Sequence, residues 1–230
     1  MAMSSDSRIK IVDATESAEH EKYLYRCLTG PFRRYRKRIE YLERAIPKGF
    51  RKKLLLLDGN VVGQIEYARS EASYYPITGE NTVVMNCIWV LRKAKGHNLG
   101  AQLLENMVRS GDEAEGFATI ALENHWSPWF QKPHMEKLGF KPIDSISVTH
   151  KTKRKGQVFT IYLMWIPNKK WANPPKWNTL RLLEGLTSCT AHPLYHPQTF
   201  IEKHLLNEHK TRNNSKPAHH FIEKHASSGT

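Results

Sequence analysis

Residues 83–104 constrain this chain more than any other stretch. A largely apolar run, 83–91, enters the basic turn Arg92-Lys93-Ala94-Lys95-Gly96-His97-Asn98. An amphipathic helix leaves that turn with Leu99, Leu103, Leu104, Met107 and Val108 on one face. A strand, a tight turn and a helix N-terminus together form an anion cradle, because unpaired amides and the helix dipole both favour negative charge. Lys95 and His97 add side-chain donors beside it. The turn reads as a phosphate holder.

The spacing narrows the ligand. A Walker loop needs Gly-x-x-x-x-Gly-Lys-Ser/Thr and a dinucleotide fold needs Gly-x-Gly-x-x-Gly; the turn carries neither pattern. It resembles instead the Arg/Gln-x-x-Gly-x-Gly/Ala loop of the GNAT acetyltransferase superfamily. In that register Lys95 takes the Arg/Gln position, Asn98 the first glycine and Gly100 the second. Val90 ends the preceding strand, and Leu103-Leu104 match the usual helix leucines. Lys95 and Asn98 depart from the pattern. Asn tolerates a left-handed backbone best after glycine, so the second departure is mild.

The resemblance spans roughly residues 8–166. Residues 53–67 read as two strands around an Asp58-Gly59-Asn60 turn, a strong hairpin signal, and the superfamily carries such a hairpin ahead of its loop strand. Downstream, Met135-Glu136-Lys137-Leu138-Gly139-Phe140 resembles its Tyr-Glu-Lys-Leu-Gly-Phe helix end, with Gly139 as the stop. Asn86-Cys87-Ile88-Trp89-Val90 is similar to one less-studied branch, which leaves the substrate undefined. The implied fold is mixed α/β, a central mixed β-sheet flanked by helices, with a C-terminal extension.

The same resemblance implies acetyl-CoA as co-substrate and direct transfer of acetyl to an amine. Backbone groups of Ile88, Trp89 and Val90 would pair with pantetheine and the thioester oxygen. Lys95 and the amides of Gly96, His97, Asn98, Leu99, Gly100 and Ala101 would hold the pyrophosphate. The acceptor is left open between a small-molecule amine and a protein or peptide amine. An attacking amine must be uncharged and the tetrahedral oxyanion needs a donor. Glu80, just before the loop strand, is the candidate base acting through a water, with Glu66, Glu123 and His125 as alternatives. The position that commonly bears a general-acid Tyr falls on Met135, which donates no proton. His134 stands beside it, although a helix directs adjacent side chains apart. Cys87, inside an apolar strand, reads as a small buried residue rather than a nucleophile.

Composition agrees with an enzyme of one domain and an appendage. The chain has 230 residues, 40% of them hydrophobic. It lacks an apolar run near the ~20 residues that span a membrane, and residues 1–10 lack a signal peptide's apolar middle. Cys27, Cys87 and Cys189 are odd in number and far apart, which implies no disulfide framework and fits a reducing cytoplasm. The balance of 35 Lys+Arg against 22 Asp+Glu favours anionic partners. Coenzyme A answers part of that. The cluster Arg33-Arg34-Tyr35-Arg36-Lys37-Arg38 reads first as a solvated helix face over Ile39, Leu42 and Ile46. The alternative is a contact to nucleic acid or another polyanion on a CoA-binding or weakly catalytic protein.

The remaining pattern predicts a strand at 9–12, a helix over 17–28 capped by Thr15 or Ser17, the basic helix ending near 46, and a polar excursion at 70–81. A buried strand follows at 117–122, then a broken Trp- and His-rich stretch at 124–134. Two further strands, 143–150 and 157–165, are joined by the basic turn 151–156. Residues 1–166 are expected to form the acetyltransferase domain, 167–209 a Trp-, Pro- and His-rich extension, and 210–230 a disordered tail. Seven of twelve histidines lie after Pro167. Cys189, His192 and His196 have metal-like spacing, with His204 and His209 on a possible helix over 197–208. A single Cys without a second Cys pair favours a packed extension and no metal.

Overall fold

The computed structural model describes residues 9–28, 36–94, 96–150, 154–194 and 201–202. The chain opens with β1 (Ile9–Asp13), a 3-10 turn (Ala18–Tyr23) and α1 (Arg36–Ala45). β2 (Arg51–Leu57) and β3 (Asn60–Arg69) form the predicted hairpin. After β4 (Ile77–Thr78), β5 (Thr82–Val90) leads into α2 (Leu99–Ser110). Then come β6 (Gly116–Glu123), α3 (Lys132–Lys137), β7 (Lys141–His150) and β8 (Val158–Pro167). The described C-terminal elements are β9 (Lys176–Trp177), α4 (Thr179–Glu184) and β10 (Ile201–Glu202).

The main sheet runs β1-β2-β3-β5-β6-β8-β7-β10, antiparallel throughout except for the parallel pair β5–β6. It is the mixed sheet flanked by helices that the sequence predicts. The β2–β3 turn closes on Asp58 and Gly59, both at positive φ (49° and 76°), as a two-residue hairpin requires. α2 buries Leu99, Leu103, Leu104 and Met107 against one face. It can approach because β3 has Gly63 there: a Cβ on Gly63 would stand 3.3 Å from Leu103 Cδ1 and 3.3 Å from the Trp89 carbonyl oxygen. α1 covers the other face, joining Leu42 and Ala45 to Phe50, Leu54 and Ala68.

Three expectations need correction. Of the helix expected over 17–28, only a 3-10 turn forms, with no buried residue. Lacking an apolar stripe to bury, the segment gains nothing from continuing. Ser17 Oγ pairs with His20 Nδ1 at 2.9 Å rather than capping backbone. Second, the basic helix is not solvated throughout, because Arg38 is 3% exposed and turned into the protein. Arg33, Arg34 and Tyr35 lie outside the described residues. Third, within the helix expected over 197–208, Ile201 and Glu202 are extended and pair with His150 and Thr149 on the edge of β7. The remainder of that span and the tail 210–230 lie outside the described residues, as do His196, His204 and His209.

The described part of the extension is packed. β9 pairs with β4, Trp177 Nε1 donates to Asp144 Oδ2 at 2.7 Å, and Leu182, Leu186 and Leu194 join the cluster that contains Met85, Leu122 and Leu163. Among the described residues no helix is long and apolar enough to cross a membrane.

Candidate active site

The site begins with a parting of strands. β5 and β6 pair only from Thr82↔Gly116 to Val84↔Ala118. Beyond that point β5 stays with β3, and β6 stays with β8 up to Glu123. Residues 85–90 therefore have a sheet neighbour on one side alone, and alternate residues direct their N–H and C=O into the gap. A β-bulge marks the divergence: the β3–β5 register passes from Glu66↔Cys87 to Tyr67↔Met85 and leaves Asn86 without an opposite residue. Thr119 Oγ1 donates to the Met85 carbonyl at 2.8 Å and closes the apex.

At the open end lies the anion turn. Gly96 has φ 95° and Asn98 φ 53°, so the mild departure predicted at Asn98 takes the left-handed backbone it was expected to tolerate. The Asn98 carbonyl accepts from Ala101 N (3.1 Å) and Gln102 N (3.3 Å). Among the described residues none accepts from the amides of His97, Asn98, Leu99 or Gly100. A Cβ built on Gly96 or Gly100 would meet no atom within 4 Å, so the space against both backbones is empty. Ile88 is buried, Trp89 and Val90 are half-buried, and His97 is exposed. Lys95 lies outside the described residues. Replacing Asn98 with Gly is expected to leave stability and ligand affinity unchanged. Asn98→Val should cost roughly 1–2 kcal/mol in urea denaturation, because a β-branched residue resists this backbone.

The loop after β6 folds back into the gap. Leu122 N donates to the Phe130 carbonyl at 2.7 Å, so residues 130–131 occupy the edge of β6 that β5 has left. Phe130 is held at φ 51°, uncommon for an aromatic residue. The loop is further fixed by Ser127 N donating to His125 Nδ1 (3.0 Å) and Trp129 N donating to Ser127 Oγ (3.2 Å). Opposite β5 it leaves a cavity of about 110 Å³, lined by Cys27, Cys87, Trp89, Ser127, Pro128, Trp129 and Ala191.

Two buried networks support this wall. Glu66 accepts from Arg38 Nη2 (2.7 Å) and Nη1 (3.1 Å) and from Lys52 Nζ (2.8 Å). Burial alone would raise its carboxyl, but the two cations and their hydrogen bonds outweigh burial and hold it down to about 2. Arg38 and Lys52 also donate to the carbonyls of Leu24 (3.1 and 3.0 Å) and Arg26 (2.8 Å), which carries Cys27 to the cavity. In the second network His192 Nδ1 accepts from Leu194 N at 2.9 Å, so Nε2 bears the proton and donates to Tyr75 Oη at 2.7 Å. Tyr74 and Tyr75 hydroxyls both donate to the carbonyl of the bulged Asn86. Burial depresses His192 to about 3 and keeps the ring neutral.

The predicted acid–base residues are scattered. Glu80 is exposed beyond the paired end of β5; at about 3.3 Å per residue it lies on the order of 25 Å from Ile88. That separation takes it out of the gap. His134 is exposed on α3 while Met135 beside it is buried, as adjacent helical positions dictate. Glu66 is held by its two cations, and Glu123 accepts from Tyr162 (2.6 Å) and Lys132 (3.2 Å). His125 packs on Phe159 and His150 and, depressed to about 4 mainly by burial, is neutral. Sequence reasoning did not find Trp129, Ser127 and Cys27 as site residues. Only the uncommon Trp- and Pro-rich spelling of 126–129 hinted at them.

Among the described residues no group of three or more His, Cys, Asp or Glu is placed to hold a metal ion. His192, one of the residues with metal-like spacing, is engaged with Tyr75 instead.

No family model matches the chain, and no curated protein matches it. Solved structures resemble it at low identity. An N-acetyltransferase from Staphylococcus aureus is 14% identical, with TM-score 0.49, over 71% of this chain and 100% of that one. Arabidopsis thaliana Naa50, bound to the bisubstrate analogue CoA-Ac-MVNAL, is 16% identical with TM-score 0.46, over 69% and 98%. A GNAT family acetyltransferase from Elizabethkingia anophelis with acetyl-CoA bound is 13% identical with TM-score 0.46, over 70% and 99%. At these values the likeness is one of overall fold, and the chemistry has to come from the site itself.

Proposed function

We propose that this chain is a GNAT-type N-acetyltransferase, which binds acetyl-CoA along the β5–α2 turn and passes the acetyl group directly to an amine. The observation that carries the reading is the parting of β5 from β6 at Met85, directly ahead of a turn in which, among the described residues, the amides of residues 97–100 meet no acceptor. The amides of residues 96–101, with Lys95, would take the pyrophosphate, favoured by the N-terminal end of the α2 dipole. The gap-facing backbone of Ile88, Trp89 and Val90 would align pantetheine and polarise the thioester carbonyl. Residues 1–166 would supply this machinery, and residues after 167 would complete the acceptor wall through Ala191.

The amine nitrogen attacks the thioester carbon, the C–S bond breaks, and the nitrogen's proton balances the departing thiolate, giving an amide and CoA. Among the described residues, no carboxylate or imidazole lines the cavity. Its low-polarity wall disfavours an ammonium and so favours the uncharged, nucleophilic amine. Holding both reactants in one gap supplies several kcal/mol of the barrier reduction. The odd number and wide spacing of Cys27, Cys87 and Cys189 support a reducing compartment such as the cytoplasm as the enzyme's location.

Calorimetry with acetyl-CoA on folded protein is expected to show saturable heat. Ligand at 100 times Kd should stabilise the protein by about 2.7 kcal/mol, roughly 5–10 °C in Tm for a chain of this size. A mixed amine panel should then release free thiol. Absence of heat with folded protein would refute the proposal.

A further inference from the structure

Three cysteines from distant parts of the sequence gather beside the cavity, and acetyl transfer uses none of them. Cys27 and Cys87 line it, and Cys189 stands two residues before Ala191, which lines it too. All three are thiols; Cys27 and Cys189 are half-buried and Cys87 is buried. They are not equivalent. Cys87 lies within β5, and its Sγ accepts from Gln64 Nε2 at 3.4 Å. Cys27 and Cys189 lie outside helices and strands, and their thiols are hydrogen-bonded to each other. Irregular backbone can adjust to the Cα separation of about 5.5–6 Å that a disulfide prefers, whereas a residue inside a paired strand is fixed by its register. Both segments are also held in place from behind. The carbonyls of Leu24 and Arg26 accept from Arg38 and Lys52. The Cys189 carbonyl accepts from His192 N at 3.2 Å, and His192 is bound to Tyr75.

We infer that Cys27 and Cys189 form a redox-active pair, which hydrogen peroxide converts into a reducible disulfide that clamps the C-terminal extension onto residues 24–28. Cys27, which lines the cavity, takes the first step. Its sulfur attacks the peroxide, the O–O bond breaks, and Cys27 becomes a sulfenic acid while its proton leaves with the departing hydroxide as water. The hydrogen bond with Cys27 and burial hold the Cys189 thiol well above the usual thiol range. It therefore stays protonated at neutral pH and does not compete for the oxidant. It then attacks the sulfenic sulfur. The S–S bond forms, the S–O bond breaks, and the hydroxyl departs as water with the Cys189 proton. Two thiols are oxidised by two electrons, and one peroxide is reduced to two waters. A thiol reductant restores both cysteines, which suits a reducing compartment, where protein disulfides are transient.

The test uses the full chain, first reduced and then treated with hydrogen peroxide. Remaining thiols are blocked with iodoacetamide before digestion without reductant. Trypsin leaves the three cysteines on separate peptides, 27–33, 70–92 and 182–203. The expected product is 27–33 joined to 182–203, lighter than their sum by two hydrogens, and lost on treatment with dithiothreitol. It should come from protein that runs as a monomer on non-reducing electrophoresis. A cross-link between positions so far apart in sequence should raise Tm by roughly 5–10 °C over the reduced protein. Cys189→Ser should abolish the product and the shift, and leave a Cys27 sulfenic acid that dimedone traps. Cys87→Ala should keep both. Joining of 27–33 to 70–92, joining only between two copies, oxidation of Cys27 with Cys189 still alkylated, or a linked product without a rise in Tm overturns the inference. Each of these is read on the unmutated chain, whether or not the variants fold. None of them bears on acetyl transfer, and absence of acetyl-CoA heat would leave the thiol pair standing.

Discussion

Gly100→Leu should abolish acetyl-CoA binding while leaving the fold intact or slightly firmer. Gly100 is the second residue of α2, and a Cβ there meets no protein atom within 4 Å. Replacing glycine inside a helix ordinarily gains up to ~1 kcal/mol, so thermal unfolding of the unliganded variant should stay level or rise. The new side chain would fill the space in which the pyrophosphate must approach the amides. Losing two hydrogen bonds to a charged group, each about 1.5–3 kcal/mol, lowers affinity at least ~100-fold. Calorimetry and differential scanning on one preparation read both quantities. Undiminished affinity would show that the phosphate lies elsewhere.

Glu66→Gln should produce the largest loss of stability. Both Arg38 and Lys52 are buried around this one carboxylate, 3% and 0% exposed. Removing the shared anion leaves two cations without compensation in the interior, an effect of about 3–5 kcal/mol, readable as a lower urea midpoint. Adding Lys52→Met to Glu66→Gln should recover part of it, since one of the stranded charges is then gone.

The same residue sets an acid limit. Its folded carboxyl is depressed to about 2 against 4.5 in the unfolded chain. The folded state therefore gains from ionisation above the unfolded value. That gain, on the order of 3 kcal/mol, is complete at neutral pH and shrinks as pH falls from about 4.5 towards 2. Wild-type stability should drop across that window, and Glu66→Gln should flatten this part of the profile.

Legibility followed the range of the interactions. The hairpin was readable because two positive-φ positions, Asp58 and Gly59, occur side by side in sequence. α2 was readable because Leu99, Leu103, Leu104 and Met107 repeat at helical spacing. The segment 17–28 misled because cap residues were present without the apolar stripe that makes a helix worth forming. The basic cluster misled for a different reason. The partner that draws Arg38 inward is Glu66, twenty-eight residues away, and sequence patterns carry no record of such a pairing. Glu80 looked adjacent to the loop strand and is adjacent, but at the end remote from the turn.

The sequence by itself determined the local devices: the left-handed Asn98, the open glycines beside it, the helix behind them and the strand ahead. Each depends on backbone preferences and spacing within about twenty residues. Only the tertiary structure decided the cavity opposite β5, where Cys27, Cys87, Trp129 and Ala191 come from four separate segments of the chain. They meet because the bulge at Asn86, the return of 130–131 onto β6 and the His192–Tyr75 bond bend distant backbone to one place. Packing of that kind is fixed by the summed burial of the whole core, which no local pattern encodes.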